Sequence, residues 1–287
     1  MCGRYALSYN VDQLPQQISK YKSLNEPSLP KIDDDSKKDK GYNDLEIATK
    51  YNTKSYNIAP TKCCPILLEH TNEILLMRWG LIPAWSETPV KYNTFNARIE
   101  SLNSSKIWKT TKSKNYYCAV PMSGYYEWHQ LTKQPYYVRR KDEKIMFVAG
   151  LYEIHEKKSG EKSYSFTIVT SPAPKNLEWL HLRMPVIIEP GSQNWESWFK
   201  KGELHEPKFD DELYECYPVT KSVGNVKNDN KGLIVKVEND SSSIRSTPSS
   251  SSSSPRNHRK RSVDVSQFFT KSPLKKKKKL NKKSETK

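Results

Sequence analysis

The chain has 287 residues and a formal net charge of +16, enough for one ordinary domain with tails or two small ones. No apolar run reaches the length of a membrane-spanning helix and no secretory signal opens the sequence, so no membrane partner is expected. Five cysteines (Cys2, Cys63, Cys64, Cys118 and Cys216), odd in number and without a Cys-x-x-Cys pair, argue against a disulfide framework or a zinc centre; no metal or other cofactor is expected, and a reducing intracellular compartment fits.

In chain order, the first signal is the start, Met1-Cys2-Gly3-Arg4-Tyr5. Methionine is normally trimmed before a small residue, and trimming leaves Cys2 with an α-amine and a thiol in 1,2 relation. Their ordinary pKa values, about 8 and about 8.5, put both nucleophilic forms within reach of neutral pH. Such a pair suits an aldehyde: the amine captures it as a Schiff base and the thiol closes a five-membered thiazolidine. The bland reading is a chance cysteine on a frayed end.

From about Pro27 to Ser55 the chain carries Asp33-Asp34-Asp35 and Ser36-Lys37-Lys38 with few apolar residues. That composition predicts a solvated insertion. Strands are predicted at Ile74–Trp79, Tyr116–Val120, Tyr136–Arg139, Ile145–Leu151, Ser165–Thr170 and Val186–Ile188, short apolar or alternating runs bounded by Pro, Gly or charge. Helices are predicted at Ser104–Lys112 and at Gln193–Lys200, the second with Trp195, Trp198 and Phe199 on one face. The pattern predicts a single α+β domain, residues 2–239, on a curved, barrel-like, mainly antiparallel β-sheet with a few helices. Residues 240–287 form a Ser-rich, then Lys-rich tail. It holds 14 of the 48 Lys and Arg against only Asp240, Asp264 and Glu285. It cannot bury enough apolar surface to fold alone, and its charge accounts for most of the basic pI.

Four segments are chemically loaded: Cys2-Gly3-Arg4; Asn96-Ala97-Arg98-Ile99-Glu100; Gly124-Tyr125-Tyr126-Glu127-Trp128; and His181-Leu182-Arg183-Met184-Pro185. Read singly, Asn96 can cap a turn, Glu127 can sit on the wet face of a strand, and His181 can be a structural histidine. Read together, they supply what aldehyde capture needs. A carboxylic acid or histidine moves protons, an amide orients the amine, and Arg4, Arg98 and Arg183 offer cations if the aldehyde is attached to phosphates.

With Tyr56-Asn57-Ile58-Ala59-Pro60-Thr61, Arg78-Trp79-Gly80-Leu81-Ile82-Pro83-Ala84-Trp85 and Pro121-Met122-Ser123, these motifs stand in the order of a known family. The chain resembles the SRAP family (SOS-response-associated peptidases) across nearly all of its body; the insertion and tail fall outside the resemblance. Ile99 and Met122-Ser123 depart from the family's usual residues without touching a reactive group. The resemblance implies shielding of abasic sites in single-stranded DNA through a thiazolidine on Cys2. It implies that Asn96 positions the amine and the opened sugar, Glu127 moves protons during Schiff-base formation, and His181 acts on the sugar ring oxygen. It implies that Arg4, Arg98, Trp128 and Arg183 hold the DNA backbone, that Thr170 lies near the sugar, and that Pro60, Trp79 and Trp85 stack on or wedge against bases. Single-stranded DNA fits the bottom-up chemistry as well, offering phosphates to arginines and bases to aromatic rings.

Three rivals stand beside this reading. A glutamine amidotransferase of the N-terminal-nucleophile type also opens Met-Cys-Gly, but a synthetase domain after it is not visible in the sequence. A cysteine peptidase would have only Met1 to remove. A non-covalent reader of modified DNA would bind without chemistry. In the tail, Pro255–Arg261 and Lys275–Lys279 resemble nuclear-import signals, which predicts a nuclear protein, expected to be a monomer. Residues 262–269 resemble a degenerate sliding-clamp docking motif: Val265 is its aliphatic position, Phe268 and Phe269 its paired aromatics, and Ser262 replaces the usual glutamine.

Overall fold

A computed structural model of the chain describes residues 2–29, 54–86, 94–156, 162–205 and 208–238. All of them fall in one compact unit, Met1–Asn239. Most of the predicted insertion and the whole tail, with Val265, Phe268 and Phe269, lie outside the described residues.

Twelve strands and three α-helices are described. The strands are β1 (Arg4–Leu7), β2 (Ser55–Ile58), β3 (Cys63–Leu68), β4 (Glu73–Trp79), β5 (Asn96–Arg98), β6 (Tyr117–Met122), β7 (Gly124–Trp128), β8 (Pro135–Arg140), β9 (Met146–Glu156), β10 (Lys162–Pro172), β11 (Arg183–Pro185) and β12 (Tyr214–Pro218). The helices are α1 (Leu14–Ile18), α2 (Lys106–Ser113) and α3 (Gln193–Lys201). Five strands close on themselves in the order β10-β4-β3-β6-β9, with β9 pairing back to β10, so the sheet is a barrel. A second sheet runs β12-β8-β7-β1-β2. The α+β, barrel-like reading is therefore what the chain adopts. Pairings are antiparallel except β10 with β4 and with β5, both parallel.

Burial explains the barrel. β6 reads Tyr-Cys-Ala-Val-Pro-Met and is buried along its whole length, and most of β9 and β10 is buried too. Such runs without polar alternation need cover on both faces. Fully burying one large apolar side chain is worth roughly 1.5–3 kcal/mol, and the core includes Trp79, Trp198, Phe147 and Phe166 at zero exposure. Helix α3 follows its sequence signals: the Ser192 hydroxyl accepts from the Trp195 N–H, and Gly202 ends it at φ 62°, a left-handed conformation that favours glycine. Its Trp198 donates an indole hydrogen bond to the Cys118 carbonyl.

Two expectations shift. The strand predicted at Val186–Ile188 is assigned earlier, at Arg183–Pro185. Residues 186–188 instead hydrogen-bond in turn to Val169, Ala149 and Phe147, threading between β10 and β9. The described chain also has strands that no periodicity announced, among them β3 and β12.

Strand β10 positions the site. Its first half pairs with β9, and its second half takes β5 on one side and β11 on the other. Ile168 pairs with Asn96, Thr170 with both Arg98 and Pro185, and Pro172 with Arg183. Two motifs far apart in sequence therefore meet on one strand.

Candidate active site

The start of the chain is buried. Cys2 has no exposed surface, and its carbonyl accepts a 2.7 Å hydrogen bond from the Asn96 side-chain amide. Asn96 is itself buried, and its amide oxygen has no hydrogen-bond partner among the described residues. An uncompensated buried acceptor costs of the order of 1–3 kcal/mol, so this oxygen is an open seat for an N–H donor.

Glu127 is 4% exposed and holds the Trp128 N–H at 3.1 Å. Its charge is felt at the Cys2 thiol. Burial pushes the Cys2 pKa up to about 12, the Glu127 charge adds to the rise, and the positive charge at the chain terminus opposes it. The thiol is therefore neutral at physiological pH, and the amine is the readier nucleophile of the pair.

His181 sits in the loop before β11. Its Nδ1 lies 3.0 Å from the Arg183 N–H. Nδ1 also lies 3.2 Å from the Arg183 carbonyl, so the ring is held against the Arg183 backbone. Arg183 grips Glu100 in bidentate fashion at 2.7 and 3.0 Å and reaches the Thr170 carbonyl at 2.8 Å. The Arg183 bond holds Glu100 below the usual carboxylate range. Arg98 is exposed on β5, beside buried Thr170. Pro60 and Trp128 are partly exposed, and Trp85 is 57% exposed.

The structure thus gathers Cys2 and Asn96, with Glu127 beside the thiol, and sets Arg98, Thr170, Arg183 and the loop of His181 around the end of β10. Two predicted contacts need correction. Trp79 cannot stack on a base: it has no exposed surface, donates to the Phe95 carbonyl at 2.8 Å and lies 5.2 Å from the Tyr5 ring. Gly80 then turns the chain at φ 114°, a conformation that suits glycine, which brings Trp85 to the surface while Trp79 stays inside. Arg4 faces the other side of its sheet. Its guanidinium donates to Asn57 Oδ1 at 2.8 Å, the Val223 carbonyl at 2.9 Å and the Gly224 carbonyl at 3.3 Å. It fastens a loop, and burial lowers its pKa. Glu100, the carboxylate that orients Arg183, had no assigned role in the sequence reading; its place three residues from Arg98's neighbour Ala97 was the available signal.

Residues 1–226 match the sequence profile of the family described as SOS response associated peptidase (SRAP). The chain belongs to this family. A Saccharomyces cerevisiae relative, abasic site processing protein YMR114C, is 36% identical over 270 residues, which cover 85% of this chain and 71% of that protein. The Bacillus subtilis abasic site processing protein YoqW is 29% identical, covering 82% and 99%. The Xenopus tropicalis abasic site processing protein HMCES is 32% identical over 184 residues, and the match spans 52% of this chain and 55% of that protein. Among solved structures, a Bacteroides thetaiotaomicron protein superposes with a TM-score of 0.62 at 20% identity, over 83% of this chain and all of its own length. That likeness concerns the fold.

Proposed function

We propose that this chain processes abasic sites in single-stranded DNA as part of DNA repair, and that it does so by covalent capture on Cys2. The similarity to proteins named for abasic site processing supports the first part. The observation that carries the second is the Asn96 amide, which pins the Cys2 carbonyl at 2.7 Å beside the buried Glu127.

An abasic deoxyribose in its open form presents an aldehyde at C1′. Once Met1 is gone, the Cys2 amine adds to that carbon and the carbinolamine loses water to give a Schiff base. Glu127 takes the proton that the amine nitrogen gives up on attack and returns it to the departing hydroxyl. The thiol sulfur then bonds to the same carbon, its proton passes to the former imine nitrogen, and the thiazolidine closes with water as the only by-product. The raised thiol sets the order, amine first. Asn96 holds the amine through its open oxygen, His181 serves the sugar ring oxygen during opening, and Arg98 and Arg183 meet phosphates. Trp85, Trp128 and Pro60 remain the surface groups for neighbouring nucleotides. Residues 262–269 serve clamp docking and the basic tail nuclear import. The protein acts as a monomer without a cofactor.

Intact mass tests this directly. Wild-type protein mixed with abasic single-stranded DNA should gain the mass of the oligonucleotide less one water, at a terminus already lacking Met1. Cys2→Ala should give only an adduct that needs borohydride to survive heating. A heat-stable adduct of Cys2→Ala without reductant would refute thiazolidine closure.

A further inference from the structure

One exposed aromatic group lies beside this site and is used by nothing above. Trp179 is 47% exposed; Leu182, three residues on in the chain, is 60% exposed, and Leu131, next to Gln130, is 86% exposed. Exposed large apolar groups gathered in one place mark an interaction surface. The Trp179 indole is held in plane by Tyr136, whose ring meets it edge-on at 5.1 Å and 80°, and by His129 at 6.2 Å. His129 in turn is fixed at Nδ1, which accepts from the Thr132 N–H at 3.2 Å. The two loops that carry these rings are clasped by the Gln130 N–H on the Leu180 carbonyl at 3.2 Å. The rings are therefore preorganised, and ordering them on binding costs little.

Position says what they meet. Tyr136 is the residue directly opposite Glu127 in the β7–β8 pair, so the two side chains share a face with Cα atoms about 4.5–5.5 Å apart. Trp179 precedes His181 by two residues, no more than about 7 Å along the chain. The cluster is thus continuous with the site on both strand and loop.

We propose that Trp179, braced by Tyr136 and His129, is a stacking platform for the nucleobase next to the captured abasic nucleotide. The proposal rests on the abasic-site reading and adds a subsite to it. An abasic nucleotide has no base to stack, so the site gains nothing from its own residue in that respect. A neighbouring base restores that contact, and a ring platform is indifferent to which base it is because every base has a π-face.

The test uses full-length protein and single-stranded oligonucleotides carrying a tetrahydrofuran abasic analogue, which binds without reacting. In one set both neighbours are dT; in the others the neighbour on one side or the other is also base-free. Affinity is read by fluorescence anisotropy at fixed salt. Trp179→Ala should weaken binding to the dT-flanked strand by about tenfold or more. Removing the base on one side should weaken wild type equally and leave Trp179→Ala unchanged. Trp179→Phe, which keeps a ring, should retain most of the affinity, whereas Trp179→Leu should not. Equal affinity of Trp179→Ala and wild type, or the same cost of base removal in both, overturns the platform; the first result would leave the patch to a protein partner. Because the analogue cannot cross-link, these outcomes are separate from the fate of the Cys2 chemistry, which the intact-mass experiment reads.

Discussion

Strands β1 and β7 lie side by side, Arg4 against Tyr126 and Tyr5 against Tyr125, and their two faces do unlike work. On one face Tyr5, Tyr125 and Glu127 look toward the barrel core and the buried chain start. On the other, Ala6 and Tyr126 build a small separate core with Tyr137, Tyr217, Val219, Val223 and Leu233. Arg4 and Asn57 latch the loop above that second core; the Asn57 amide alone reaches the carbonyls of Val223, Asn225 and Asn228. Adjacent residues of β1 and of β7 thus belong to two different cores, because strand side chains alternate. Nearness in sequence to a reactive residue is no measure of nearness in space.

The largest contrast between the faces should come from their charged members. Glu127→Gln should slow single-turnover cross-linking by about 10²–10⁴-fold while leaving DNA affinity within a few-fold, the usual cost of losing a positioned acid or base. His181→Gln should behave alike. Wild-type rates in both would remove their assigned roles.

On the latch face the expectation reverses. Arg4→Ala should lower unfolding stability by about 1–3 kcal/mol, since it leaves the Asn57 oxygen and the Gly224 carbonyl without their donor. It should leave the salt dependence of DNA binding alone. Arg98→Ala, exposed on β5, should hold stability and reduce the salt slope by roughly 0.7, one single-strand phosphate contact. Urea melts and salt titrations of the two variants decide it, and a lowered slope for Arg4→Ala would return that residue to the DNA surface.

A smaller effect should appear at alkaline pH. Burial pushes the thiols of Cys2 and Cys64 to about 12 and that of Cys118 higher still. Below about pH 8.5 each thiol is neutral in both states and its burial counts in full. Above that the unfolded chain gives up the proton and the folded chain keeps it, so stability falls by up to about 1.4 kcal/mol per pH unit for each. Cys64→Val should flatten the decline between pH 9 and pH 10.5 in urea midpoints; an unchanged decline would locate it elsewhere, with the buried tyrosines next in line.

Much of this was legible beforehand. The helix Gln193–Lys201 was readable from its cap, its aromatic face and Gly202, all local signals. Parts of β9 and β10 were readable, at Ile145–Leu151 and Ser165–Thr170, because their apolar runs are local. The closure of the barrel was not, since it depends on Ser165 pairing with Arg78 and Phe166 with Trp79, contacts that no short-range pattern encodes. The segments of the site were found by motif, but the roles of Arg4 and Trp79 were misread. Which face a strand residue takes depends on register, and a shift of one residue inverts it. The Trp179 cluster escaped because a tryptophan in a loop gives no periodic signal.

The hydrogen bond between Asn96 and the Cys2 carbonyl spans 94 positions, and it has a consequence in time. During synthesis the chain start leaves the ribosome first, while His181 and Arg183 follow roughly 10–40 s later at ordinary elongation rates. For that interval Cys2 lies outside the fold that later buries it. Completion of β10 and β11 ends the exposure. If Cys2 captures a DNA aldehyde as proposed, the closed barrel shelters that residue between its synthesis and the encounter.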